Sequence, residues 1–379
     1  MNRDKTLISA NQAAILLFVF LTCSSITNIP SPLIGLAGNA AWISLLVSAS
    51  LGLLLLVPVA WLARAYPGQS LIECSRAVIG TPVTLLLGCM FLSFLFDMGP
   101  SIVLDIAMFL KSSMLRETPA YWFIFPTFLV VGLSVRTGID KLAGLFPVLM
   151  GNVMFFVFLI AALSANNFDP RQLLPIMPEG VRPMLHGTYF SFGFPFGEAV
   201  IFTMILQHAK KGGKLGPKLA LGLAASLLSL AAATVVTIMV FGPIAGERKY
   251  SLFELARTVS IIDVFQRIEA LIGYSLIVAS FMKATLVLFA AHETLIHMIG
   301  LKKDKMLVMP MALLMSCIAM SGIDMGDASW IFQVNEVHPI WNAAFFILPV
   351  LIVFFAALLR GKKPAPAAAQ KTGPGGRLP

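Results

Sequence analysis

The stretch SFGFPFGEAVIF, residues 191–202, lies in an apolar run long enough to cross a bilayer, yet Gly193, Pro195, Gly197 and Glu198 fall within six consecutive positions. A helix in lipid has to pair its own backbone, because each unpaired amide or carbonyl costs several kcal/mol in hydrocarbon. Helix breakers at that depth are tolerated only where protein covers them or where they border a wet cavity. Two readings follow. Either the backbone unwinds and frees polar atoms for a ligand, or Pro195 makes a kink and the glycines admit a close neighbour.

The surrounding sequence sets the frame. In 379 residues, 58% are hydrophobic and 12% charged, and the mean hydropathy is +0.89. That is too little polar surface to cover a soluble globule, so the chain reads as an all-α polytopic membrane protein with membrane lipid as its main surroundings. Apolar runs separate at about 10–35, 41–63, 82–112, 119–135, 141–164, 186–208, 217–243, 268–297, 306–323 and 338–359, numbered here spans 1 to 10. The first run is too long for a cleavable leader and no small-residue cleavage site follows it, so it is expected to stay as an anchor.

With ten spans both termini lie on one face. That face then carries eighteen of the 27 Lys and Arg residues, against eight on the other, with Lys283 left inside span 8. By the positive-inside rule both termini are expected in the cytoplasm. The net charge of +9 is thereby topogenic. HAKKGGKLGPK, residues 208–218, reads as a solvated loop rather than as a nucleic-acid or lipid-headgroup site. Cys23, Cys74, Cys89 and Cys317 have no metal or disulfide spacing and are expected as reduced packing residues.

Residues 1–360 are expected to form one transmembrane domain and the Pro-, Ala- and Gly-rich residues 361–379 a disordered cytoplasmic tail. YPGQSLIECSRAVIGTP, residues 66–82, predicts a turn and a short amphipathic helix capped by Ser70 and stopped by Gly80. SLFELARTVSIIDVFQRI, residues 251–268, predicts a helix lying along the opposite surface. Five plus five spans bring the second half in from the opposite side, as in the inverted repeats of many secondary transporters, here about residues 9–164 and 186–359. The first helix of each half is interrupted: span 1 by TCSSITNIPSP, residues 22–32, and span 6 by GFPFGE, residues 193–198.

Counting from the span ends puts Asp97, Glu198 and Lys283 at one depth near the membrane centre. A lone charge there costs roughly 2.5 to 3.5 kcal/mol on insertion scales, so two acids and a base are expected to converge, as a site or as a buried ion pair that only stabilises. Asp105, eight residues beyond Asp97, is about 12 Å further along the helix and is expected at the outer vestibule. Glu293 is expected in an interfacial ion pair with Lys302 or Lys303. His292 and His297, five apart, do not share a helical face for zinc, and no metal or cofactor site is read. Ser24, Ser25, Thr27 and Thr285 could line a cavity or simply bond a neighbouring carbonyl. No GxSxG, HExxH, P-loop or dinucleotide fingerprint is present, so an enzyme is not expected.

DKTLISANQ before span 1, NIPSP followed by NAAWIS, the loop YPGQSLIE with VIG, PFGEAVIF in span 6 and RIEALIGYSLIVASFMK in span 8 together resemble the spore germination permease family, the B subunits of endospore germinant receptors. These belong to the amino acid, polyamine and organocation transporter superfamily. The resemblance covers about residues 4–360. It implies a transporter-like fold that senses a small germinant, such as an amino acid, in the spore inner membrane beside an A subunit and a lipoprotein C subunit. The ligand region it implies comprises Ser24, Ser25, Thr27, Asp97, Gly193, Phe194, Gly197, Glu198, Lys283 and Thr285, with Lys283 supplying the charge that a sodium ion gives in related folds. Two positions depart from the family pattern, CSS in the span 1 break where glycine is frequent and Ala40 where an Asp often precedes Ala-Trp. A proton-coupled amino acid transporter using the same cavity is the alternative, and an ion-conducting pore is a third possibility.

Overall fold

Helix starts and stops along the chain follow local chemistry. Ser9 and Gln12 close a capping box at the start of span 1, and Ser70 and Glu73 close another at the start of the linking helix Leu71–Ile79, satisfying amides that a first turn leaves unpaired. Gly80, at φ +86°, ends that helix as expected. The computed structural model describes residues 7–210, 214–258, 268–301 and 305–361, apart from the side chains of residues 327 and 328. The expected tail, residues 361–379, lies outside them except for its first residue, as do Lys302 and Lys303.

Among the described residues nine helices are long and apolar enough to cross a membrane, and Tyr121–Thr137 is a shorter apolar one at 17 residues. Span 1 is Ala10–Thr22, a break at Cys23 and Ser24, a turn Ser25–Asn28, and Pro30–Ala37. Spans 2 to 5 are Ala41–Ala65, Thr81–Phe109 with a π-turn Leu110–Met114, Tyr121–Thr137 and Ile139–Leu163. Span 6 is Val181–Gly193, a break at Phe194 and Pro195, a 3-10 stretch Phe196–Ile201, and short turns to His208. Spans 7, 8 and 9 are Leu215–Phe241, Glu269–Ile299 and Val308–Ser321.

Span 10 differs from expectation. It starts at Asp327, not near 338, and runs to Leu359 through π-turns at Gln333–Val337 and Asn342–Ile347. The polar residues Gln333, Asn335, Glu336 and His338 lower the hydropathy of its first turns, which hid them from an apolar-run reading. Of the surface helix expected over 251–268, the described part is the helix Ser251–Thr258, which is packed into the bundle with Leu252, Phe253, Leu255 and Ala256 buried; residues 259–267 lie outside the described ones.

The packing obeys the exchange of halves that an inverted repeat demands. Span 1 packs on span 7 and span 6 on span 2. Span 1 also meets span 5, and span 6 meets span 10. Span 5 packs on span 8, and span 10 on span 3. Pairs 2 and 7, 3 and 8, and 4 and 9 map onto themselves. Buried hydroxyls join the layers: Thr22 donates to Ser226 at 2.9 Å between spans 1 and 7, and Ser191 to Ser48 at 2.9 Å between spans 6 and 2. All four cysteines are free, Cys23 and Cys74 buried, Cys89 and Cys317 on the surface of the bundle.

Candidate functional site

The break in span 6 is held open by span 10. Asn342 donates its side-chain amide to the Gly193 carbonyl at 2.6 Å, pairing an acceptor that the break leaves without a helical partner. A Cβ at Gly193 would collide with the Pro339 ring, and one at Gly197 would come within 2.7 Å of the Phe192 carbonyl oxygen and 3.1 Å of the Asn342 amide. Both glycines therefore serve close approach, and both sit against span 10 or the span 6 backbone. Pro195 and Phe196 turn the chain so that Glu198 points inward from the first turn of the second half.

Glu198 is 1% exposed and Lys283 fully buried, their oxygen and nitrogen 2.7 Å apart. The ammonium lies 4.3 Å from the Phe194 ring centre and 5.2 Å from that of Phe20, so aromatic faces replace the water it has lost. The other Glu198 oxygen accepts a hydrogen bond from His338 Nε2 at 3.2 Å. His338 Nδ1 stands 3.7 Å from Asp97 Oδ2, too far for a hydrogen bond. Asp97, His338, Glu198 and Lys283 thus form one row of alternating formal charge across spans 3, 10, 6 and 8. The imidazole is ringed by Phe94 and Phe194.

One end of this row borders a cavity of about 130 Å³, room for several water molecules or a small metabolite. Ser24, Asn28, Asp97, Asp105, Phe194, Glu198 and His338 line it, with Lys249, Gln333 and Asn335 towards the face opposite the termini. Asp105, expected further out, lines the same cavity and accepts a short hydrogen bond from Asn28 in the span 1 break. Lys283 is sealed from the cavity behind Phe194. Ser25 and Thr285 are buried and Thr27 nearly so; Thr27 donates to the Ser24 carbonyl at 3.0 Å and Thr285 to that of Phe281 at 2.7 Å, whereas the Ser25 hydroxyl is buried without a hydrogen-bond partner. His338 escaped the sequence reading because it stood at the edge of the expected span 10; its signal was a lone histidine beside a proline near an apolar run.

A second polar cluster closes the other side. Glu293 is buried, accepts from Gln207 at 2.8 Å and contacts His208 Nε2 at 3.3 Å, so it is not the surface-level residue expected. His292 and His297 of its own helix approach it at 3.9 and 4.0 Å. The N-terminal segment joins in: the Ile8 amide donates to the His208 carbonyl and the Lys210 amide to that of Ile8, each at 2.9 Å. Among the described residues no group of three or more His, Cys, Asp or Glu is arranged to hold a metal ion.

Comparison with known proteins bears on this architecture. A family model described as "Spore germination protein" matches residues 7–323. Spore germination protein KB of Bacillus subtilis (strain 168) is 24% identical over 317 residues, 82% of this chain and 83% of that protein. Spore germination protein XB of Bacillus anthracis is 25% identical over 335 residues, 87% of this chain and 92% of that one. Among solved structures, a mutant manganese transporter of Eremococcus coleocola superposes with a TM-score of 0.65 at 14% identity, covering 90% of this chain and 78% of the transporter. A sodium-coupled sialic acid symporter gives 0.58 at 11% identity, covering 94% and 89%. At such identities the likeness is one of fold.

Proposed function

The chain belongs to the spore germination protein family, and on that premise we propose that it is the B-type membrane subunit of a germinant receptor, binding a small polar metabolite such as an amino acid. The observation that carries the proposal is the cavity at the two helix breaks, a mostly apolar hollow into which Asp97 and Asp105 bring carboxylates. Asp97 is the natural seat for an ammonium group. Its nearest cationic neighbour is beyond hydrogen-bond reach, whereas Glu198 is already engaged by Lys283 and His338. Lys249, Gln333 and Asn335, nearer the mouth, suit the carboxylate of an amino acid.

The excess of Lys and Arg on the side of the termini supports a cytoplasmic location for both; on this reading the ligand enters from the outer side and the Glu293 cluster closes the cytoplasmic one. Binding then favours the arrangement of spans that holds the ligand best and passes that bias to partners, an A subunit and a lipoprotein C subunit, in the spore inner membrane. This requires a difference in affinity between two arrangements. The test is germination of spores carrying Asp97→Asn across a panel of amino acids: loss of response to at least one is expected, and an unchanged response to all would remove Asp97 from the site. A second reading, amino acid transport coupled to protons, draws on the row of titratable groups from Asp97 to Lys283. Uptake of labelled amino acid by vesicles containing this chain alone would favour it over sensing.

A further inference from the structure

Because Nε2 donates to the Glu198 carboxylate, it carries a hydrogen in either charge state of the ring. The proton that His338 can lose is therefore the one on Nδ1, and Nδ1 is the nitrogen turned towards Asp97 and the cavity. The gap of 3.7 Å between Nδ1 and Asp97 Oδ2 is too wide for those two atoms to bond, but a single donor nitrogen can bridge them. With an imidazolium at 338, the row Asp97, His338, Glu198 and Lys283 sums to zero. Adding an ammonium gives one surplus positive charge in a site walled by Phe94, Phe194 and Phe20, where an uncompensated charge is costly. Among the described residues, the other charged or titratable groups facing this region are Asp105 of span 3, Cys23 of span 1 near Lys283, and Lys249 and Tyr250 near the mouth. Asp105 and Lys249 are one formal charge of each sign and leave the balance unchanged. Glu336 is held by His186 at 2.9 Å.

We propose that this cavity exchanges a proton for an ammonium group: a ligand R–NH3+ enters, His338 gives its Nδ1 proton to solvent, and the ammonium bridges Asp97 Oδ2 and the freed Nδ1 lone pair. No bond in the ligand changes, and at the Asp97–His338 gap one positive charge enters as one leaves, an amino acid's carboxylate lying outside that gap. The ligand class is thus amines with at least two N–H donors, amino acids among them. A quaternary ammonium, which has no N–H to donate, is excluded. The exchange rests on the ligand reading above in placing an ammonium at Asp97, but it is tested apart from germination.

The full-length protein in lipid nanodiscs is titrated with glycine, methylammonium and tetramethylammonium by calorimetry in buffers of differing ionisation enthalpy. Glycine or methylammonium is expected to bind with release of about one proton near neutral pH, and affinity rises up to about tenfold per pH unit while the free protein keeps its Nδ1 proton and the complex does not. Tetramethylammonium should bind at least tenfold more weakly than methylammonium. His338→Gln, which keeps an amide to donate to Glu198, should bind glycine with no proton release and no pH slope. Should that variant fail to fold, the wild-type buffer series alone decides. Binding without proton release, proton uptake, or binding of neither amine overturns the exchange. Because germination is not the readout, binding without proton release leaves the sensor reading standing, and spores indifferent to Asp97→Asn would sink that reading alone.

Discussion

Asp97 and Glu198 are carboxylates at similar depth, but their surroundings assign them different work. Glu198 compensates a lysine that has no water, and removing one partner of a buried ion pair strands the other. Lys283→Met is expected to destabilise the protein by about 3 to 5 kcal/mol, seen as a lower unfolding temperature in detergent, whereas Glu198→Leu with Lys283→Met together should recover most of that loss. A double variant as unstable as the single would show that the pair is not the cause. Asp97→Asn should leave the unfolding temperature nearly unchanged and weaken amine binding at least tenfold, about 1.4 kcal/mol. The sequence singled out these three ionisable groups, since a charge is visible against an apolar run, and the structure brings them into one row through His338. It could not show that Phe20 and Phe194 screen Lys283 from the cavity, because those rings arrive from spans 1 and 6.

Helix ends and breaks carry the next level of argument. Asn342→Ala removes the donor to the Gly193 carbonyl and should cost about 1 to 3 kcal/mol, the penalty for an acceptor left buried and unpaired. Gly193→Ala should do more harm to function than to span formation, because its methyl group pushes Pro339, and with it His338, away from Glu198. The measurement is amine affinity in protein that still purifies as a single species; unaltered affinity would deny span 10 its role in shaping the site. At the end of the bundle where the N-terminal segment meets span 6, Gln207→Leu leaves Glu293 with only histidine neighbours. Hydrogen exchange at the amides of Ile8 and Lys210 is then expected to quicken roughly tenfold or more, and unaltered protection would mean that the side-chain cluster does not help to hold the N-terminal segment to span 6. The breaks in spans 1 and 6 were legible from Pro195, Pro30 and the small residues beside them. What fills each break was not, since Asn342 and Asp105 come from other spans.

For the whole molecule, the cation beside Glu198 at the junction of spans 6 and 8 is a side chain of the chain itself, Lys283. Amine binding is expected to be equal in sodium and potassium chloride, and a strong sodium requirement would contradict this. Hydropathy and the placing of prolines were enough for the sequence by itself to determine an all-helical membrane bundle, its two interrupted helices, and Asp97, Glu198 and Lys283 as charges within apolar runs. Each of those is a property of a local window, because a segment in lipid must satisfy its own backbone wherever it sits. Only the tertiary structure decided that span 10 begins at Asp327 and so carries His338 into the site, that Asp105 shares the cavity, and that Glu293 is buried against Gln207 and His208. The hydrogen bonds of Asp105, Glu293 and His338 join residues 77 to 140 positions apart in the chain, and what selects them is the pairing of polar groups between neighbouring helices, which no single window of sequence contains.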